Sequence, residues 1–427
     1  MANRTADTEN FKVLYEHEKK RREQAEAQLE EANQKINMSA ELIKEAVRKY
    51  ENIYRKLLQF KDPDYKEEHL AEEIELVNSL IDSLQVKNDP IDESLEYCYK
   101  KLEKVSRSFT VVINQLNPKI KDEICVFYLV LRALDTIEDD PKLSADTKII
   151  LLKNFHLNIG NESYSHDDIG DEPDYVELMQ NYCHVAKIFN KLEEKYQKII
   201  EDITKKMADG MCEFIEMKGI QTLAEYDKYC HYVAGLVGIG LTHIFAASNL
   251  EDRKIMEMED LANSMGLFLQ KTNITRDYAE DVEKKRFFWP NELCSKFTDD
   301  YAGFLKNPSQ KALDLLNSMV NDALRHFTQC VSYLKCLGDT TVFKFCAIPQ
   351  LMALCTLELV FNNERVFSEN VKISRAESIE IVSKCVNFEQ FKFLIAKLVN
   401  NWKLKLNSNS ELFDKTKIFL DQILLAL

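Results

Sequence analysis

Along most of this 427-residue chain the apolar positions recur at steps of three and four rather than two, so the long windows predict helices and almost no strand. Ten glycines and eight prolines interrupt that pattern rarely, and an all-α fold follows. Two helical stretches carry chemistry. In YLVLRALDTIED, Tyr128, Arg132, Asp135 and Asp139 fall at i, i+4, i+7 and i+11 on one face, Glu138 lies beside them, and Leu129, Val130, Leu131, Leu134 and Ile137 surround the stripe. In LQKTNITRDYAED, Gln270, Asn273, Asp277 and Asp281 follow the same kind of stripe, with Arg276 and Glu280 next to it. Carboxylates and a guanidinium aimed out of apolar helices are costly to bury without a charged guest. Two such helices facing each other predict a box with carboxylates at one end, suited to a metal–phosphate group.

Residues 10–60 follow a different pattern. Leu29, Ala32, Ile36, Ser39, Ile43, Ala46, Tyr50, Ile53 and Leu57 alternate steps of three and four through dense charge, which is a coiled-coil heptad. Asp62-Pro63-Asp64 ends it. The expected organisation is a charged helix over 1–62, a linker helix region over 63–92, and one large helical domain over 93–427. The first segment is either a dimerisation or helix-docking element or a single charged helix; small Ala32, Ser39 and Ala46 weaken its seam.

Charge narrows the partners. A net charge of −15 argues against nucleic acid and means that an anionic ligand needs locally recruited cations. Eleven cysteines show no paired CxxC spacing, and MANRTADTEN has no secretory pattern, so reduced thiols are expected. The apolar run Val233 to Ala247 falls short of the roughly 20 residues of a membrane span and reads as a buried core helix. Residues 156–175, with His166, Asp167, Asp168, Asp171 and Glu172, read as an exposed loop because Gly160, Asn161, Gly170 and Pro173 punctuate them.

DTIED and DYAED, together with VSRSF (105–109), YCHYVAGLVGIGL (229–241) and FCAIPQ (345–350), resemble in content and order the head-to-head prenyl synthases, most closely the squalene synthase family, over roughly residues 94–375. The resemblance implies one isoprenoid-synthase-type helical domain that condenses two farnesyl diphosphates to presqualene diphosphate and reduces that to squalene. It implies Mg²⁺ held by Asp135, Glu138, Asp139, Asp277 and Asp281. It implies substrate contacts from Ser106, Arg107, Phe109, Arg132, Gln270, Asn273 and Arg276, and a hydrocarbon wall including Val233, Leu267, Cys346 and Pro349. Tyr229, read as the start of its helix, matches the family's catalytic tyrosine, and Tyr128 and Phe345 offer aromatic faces that steady carbocations without attacking them. Gly235, Gly238 and Gly240 sit in one apolar helix at about 0.8–1.0 kcal/mol each against alanine, which calls for close packing or room for an isoprenoid chain.

NADPH is implied as reductant, with Lys372, Arg375 and Arg286 near its phosphates; no Rossmann glycine fingerprint exists. The chain departs from the family twice: Val282-Glu283-Lys284-Lys285 replaces a Gln-Gly-Gly run, and Ser374 stands where another basic residue is usual. The family location is the endoplasmic reticulum membrane surface, here without a transmembrane helix in this chain; in the absence of another anchor the expectation is cytosolic. Two rival readings are a phytoene or dehydrosqualene synthase that does without NADPH, and a non-catalytic helical scaffold.

Overall fold

The computed structural model describes residues 92–106, 109–217, 219–298, 309–406 and 411–427. The expectations for residues 10–60, for the 63–92 linker up to residue 91, and for Arg107 fall outside them. The fold is all-α, with no strand among the described residues. In chain order the helices are α1 (Glu93–Val105), α2 (Phe109–Ile113), α3 (Pro118–Asp139), α4 (Ala145–Phe155), α5 (Pro173–Gln180), α6 (Cys183–Phe189), α7 (Glu194–Glu216), α8 (Leu223–Cys230) and α9 (Leu236–Ala247). There follow α10 (Glu259–Arg276), α11 (Tyr278–Glu283), α12 (Asn291–Cys294), α13 (Gln310–Leu324), α14 (Phe327–Leu334), α15 (Thr340–Val360), α16 (Arg375–Lys384), α17 (Phe388–Lys405) and α18 (Glu411–Ala426). Helix α10 is central, packed by α9, α13, α14 and α15.

Local chemistry sets the helix that begins the site. Asn117 caps α3 by accepting from the Lys119 N–H at 3.1 Å, and Pro118 takes the first-turn position where a missing N–H costs nothing. Ile120, Ile124, Phe127, Val130, Leu134 and Ile137 are buried and hold the helix in the core. It stops at Asp140, ahead of Pro141. The Asp140 carboxylate accepts from the N–H groups of Lys142 and Gly170, both at 2.7 Å. Gly170 has φ +136°, which side chains rarely adopt, so the 156–172 loop is tied to the carboxyl end of α3 by a turn that needs glycine.

Helices α8 and α9 form one run. Thr222 and Glu225 make a capping box at its start, and a π turn at His231–Gly235 joins the halves. Tyr229 therefore lies at the end of α8 rather than at the beginning of a helix, because the Leu223–Cys230 segment before the glycine-rich stretch is itself helical. The run Leu223–Ala247 is 25 residues and α15 is 21; both are long and apolar enough to cross a membrane by length and composition, and both pack in the core here. The apolar run Val233 to Ala247 is shorter than this helix because Glu225, Asp227 and Lys228 interrupt the eight helical residues at its start.

Gly235 and Gly240 make room for side chains, Asn263 at the first and Ile203 and Phe127 at the second, whereas Gly238, and Gly266 of α10, lie against backbone. A Cβ on Gly238 would sit 2.3 Å from the Ala262 carbonyl oxygen, and one on Gly266 would sit 2.2 Å from that of Ala234. No side-chain adjustment relieves a clash with backbone. Gly266→Ala is expected to lower stability by about 1–3 kcal/mol, measured by denaturant melts, because α10 must move off the π turn.

Behind α10 lies a buried ionic cluster. Lys271, fully buried, bonds Asp227 and Asp322 at 2.5 Å each, while Arg325 bonds Asp322 at 2.8 Å and also meets Asp227. His326 is buried beside it; burial, reinforced by Lys271 and Arg325, pushes its imidazole down to about 3. The unfolded chain then takes up a proton first as pH falls through the ordinary histidine value. Lowering pH from 7 to 5 is expected to remove about 2 kcal/mol of stability through this residue, and His326→Gln should flatten that part of the pH profile.

Candidate active site

An apolar cavity opens between α3, α9, α10 and α15. Its polar end is built by the α3 stripe: Tyr128, Arg132 and Asp135 line it, as do Gln270 and Asn273 from α10. Arg132 donates to the Tyr128 hydroxyl at 3.4 Å and lies 3.6 Å from Asp135. Phe109, Val233, Phe345, Cys346 and Pro349 line the hydrocarbon part. The stripe extends one turn further back than its motif, since Ile124, Phe127 and Leu131 also face the cavity. Met207 and Tyr333 join from α7 and α14, where no motif marks them; the Tyr333 hydroxyl is 2.6 Å from that of Thr242 at this apolar end.

Leu267, expected in the wall, faces away. Residues 262, 265, 266, 269, 270 and 273 of α10 line the cavity at helical spacing, so Leu267 falls on the other face, next to Gly235 and an outer polar hollow.

A second cleft continues past the carboxyl end of α3. Glu138, Asp139, Tyr229, Phe214, Arg286 and Phe288 line it. Tyr229 is buried, stacked on Phe288 with centroids 5.2 Å apart and 21° between planes, and edge-on to Phe214 at 5.2 Å. Tyr128 and Tyr229, expected together near the reacting carbons, line different chambers. Asp171 and Glu172 line this cleft too, and Asp171 lies 3.3 Å from Lys284, so part of the 156–175 loop is not a free surface loop.

The second acidic stripe is interrupted. Helix α10 ends at Arg276, Asp277 forms the junction, and α11 carries Asp281. Arg276 donates to Asp277 at 2.7 and 2.6 Å, and the Asn370 side chain donates to Asp277 at 2.6 Å. Asp281 is buried and accepts from Arg286 at 2.9 Å; Arg286 also donates to Asp139 at 2.8 Å. Arg286, expected near a nucleotide, thus stands between the two acidic motifs. Ser106 ends α1 and lies just ahead of α2, with a buried hydroxyl that has no partner. Lys372 and Arg375 are exposed and pair with no acid among the described residues; Ser374, out of line with the family, caps α16 in a box with Glu377.

Burial pushes the Asp135 carboxyl up to about 6, partly offset by Arg132 and reinforced by Asp139. Burial likewise pushes Asp281 up to about 6, partly offset by Arg286. Glu138 is raised well above the carboxylate range by burial and then by Asp139 and Asp135.

The squalene/phytoene synthase family model matches residues 102–377. The chain is 46% identical over 304 residues to squalene synthase BSS of Botryococcus braunii, covering 69% of this chain and 66% of that relative. The chain belongs to the squalene/phytoene synthase family. Squalene synthase 8 of Panax ginseng is 45% identical over 302 residues, 70% of this chain and 76% of that one. Among solved structures, the complex of TcSQS with the ligand E5700 superimposes with a TM-score of 0.77 at 41% identity, covering 79% of this chain and 98% of the other. A dehydrosqualene synthase at 19% identity and a TM-score of 0.53 shares the fold.

For a squalene/phytoene synthase the fit of Mg²⁺ rests on the donor set. The oxygens are hard carboxylates, and three of the carboxyls are pushed upward mainly by burial, which a bound cation would offset. Among the described residues no three acidic, imidazole or thiol groups converge on one ion position. Mg²⁺ commonly takes one or two carboxylates and completes its shell with water and substrate phosphate.

Proposed function

We propose that the chain is a squalene synthase: it joins two farnesyl diphosphates head to head into presqualene diphosphate and converts that to squalene in an NADPH-dependent step. The observation that carries this reading is an apolar cavity with Arg132 and Asp135 at its polar end, beside a cleft lined by Glu138 and Asp139, in a chain 45–46% identical to squalene synthases.

Asp135, Asp139, Asp277 and Asp281 would hold Mg²⁺, with Glu138 assisting. Bound there, Mg²⁺ neutralises the charge that grows on a departing diphosphate, and NADPH supplies the hydride of the second step. Arg132 pairs with a diphosphate oxygen, and Gln270 and Asn273 orient the group beside it. Ser106 and Arg107 offer a hydroxyl and a guanidinium to a diphosphate, and Arg276 fixes Asp277 in position. Phe109, Val233, Phe345, Cys346 and Pro349 keep water from the cation, which water would quench. The faces of Tyr128 and Phe345 steady positive charge there. Tyr229 keeps its proton, because burial and then Glu138 and Asp139 hold its phenol well above the usual value. Its hydroxyl is therefore a neutral dipole that hands a proton on rather than a standing base.

Lys372 and Arg375 take the NADPH phosphates in this reading. Its support is position: Asn370, two residues before Lys372, is bonded to Asp277 and places the basic segment beside the second acidic motif. Lys372→Glu with Arg375→Glu is expected to raise KM for NADPH about tenfold or more while leaving presqualene diphosphate formation intact. Because the product is a hydrocarbon, we place the enzyme at the endoplasmic reticulum membrane surface, as in the family.

The test is diphosphate release from farnesyl diphosphate. Release that needs Mg²⁺, stops with EDTA, and increases on adding NADPH supports the reading; release indifferent to EDTA contradicts it.

A further inference from the structure

We propose that Arg286 is a displaceable internal counter-cation, clamping Asp139 to Asp281 when no metal is bound and yielding both carboxylates to divalent cations when they arrive with a diphosphate. This rests on the metal reading above. Asp139 ends α3 and Asp281 sits in α11, 142 positions on in the chain, yet one guanidinium spans them at 2.8 and 2.9 Å through different nitrogens. Neighbouring lysines do not do this. Lys148 donates to the backbone carbonyl of Glu138, and Lys284 pairs with Glu280 at 3.0 Å and Asp171 at 3.3 Å. Among the described residues, Arg286 is the cation whose ion pairs join acids of both motifs.

Two features make the clamp reversible. Arg286 leaves its Nε buried without a partner, an unfavourable state that a diphosphate oxygen relieves once the guanidinium shifts. The preceding Lys285 has φ +58°, a left-handed conformation that carries strain in a non-glycine residue, in an exposed loop. The Arg286 N–H still returns to the Asp281 carbonyl at 2.7 Å, so the residue turns about a fixed base. Arg286 is thus a positioning residue for the metals, and a diphosphate contact after release.

Calorimetric titration of MgCl₂ into the ligand-free full chain tests this, followed by inorganic pyrophosphate into the Mg²⁺-loaded protein. Arg286→Gln is expected to bind Mg²⁺ about tenfold more tightly than the wild type, since no internal cation competes, and to bind pyrophosphate about tenfold more weakly. Arg286→Lys, a point charge that cannot fork between two acids, should fall between them and keeps the test readable if the glutamine variant does not fold. Equal or weaker Mg²⁺ binding by both variants, with normal wild-type binding, overturns the clamp alone. A wild type that binds neither Mg²⁺ nor pyrophosphate overturns the clamp and the metal reading together.

Discussion

Asp281→Asn is expected to lower turnover by about 10²- to 10³-fold while the melting temperature of the metal-free protein does not fall. The two halves of that result have one cause. Asp281 is buried, and its carboxyl is pushed up to about 6 mainly by burial, with Asp277 adding to the effect and Arg286 opposing it. An acid whose folded value lies above its unfolded one opposes folding when ionised. The opposition is absent below the ordinary aspartate value near 4, grows from there to about 6, and is complete at neutral pH. Asparagine keeps the shape and an acceptor for Arg286 without that opposition, so folding does not suffer. What is lost is the charge that recruits a cation to the departing diphosphate. Initial rates and thermal melts at pH 7.5 decide it. A large drop in melting temperature, or retained turnover, would assign Asp281 a structural role.

Lys271→Met should destabilise the protein by about 3–5 kcal/mol, read from denaturant midpoints. The side chain is fully buried, and Asp322, 9% exposed, keeps Arg325 as its one ion-pair partner among the described residues once Lys271 is gone. Removing one member of such a cluster leaves an uncompensated charge in a low-dielectric site. Replacing Asp322 by leucine in the same background should recover part of the loss, since two apolar partners are tolerated where one stranded acid is not. A change below about 1 kcal/mol would mean that water reaches the cluster.

How far the chain could be read without coordinates depended on which face each residue takes. The α3 stripe needed no tertiary information: a single straight helix puts Tyr128, Arg132 and Asp135 on one line, and they share one cavity wall. The second stripe was half visible. Helix α10 breaks at Asp277, so Gln270 and Asn273 reach the cavity while Asp281 turns to Arg286. Leu267 was misplaced because an apolar residue beside a motif looks like pocket lining until the phase of α10 is known. Arg286 depended on a left-handed turn at Lys285 that periodicity cannot signal. Lys271 lay inside the second motif, but its partners Asp227 and Asp322 are 44 and 51 residues away, and long-range pairing leaves no local trace. Asp171 reached the cleft through the Asp140 to Gly170 tie, another contact between distant segments.

The central claim is that the apolar cavity and the acidic cleft beside it together carry out both steps, and product identity tests it most directly. Incubate the full chain with farnesyl diphosphate and Mg²⁺, with and without NADPH, and identify products by mass spectrometry. Squalene with NADPH and presqualene diphosphate without it is the predicted result. The same dehydrogenated C30 hydrocarbon in both incubations, or no condensation product from folded protein, would contradict it.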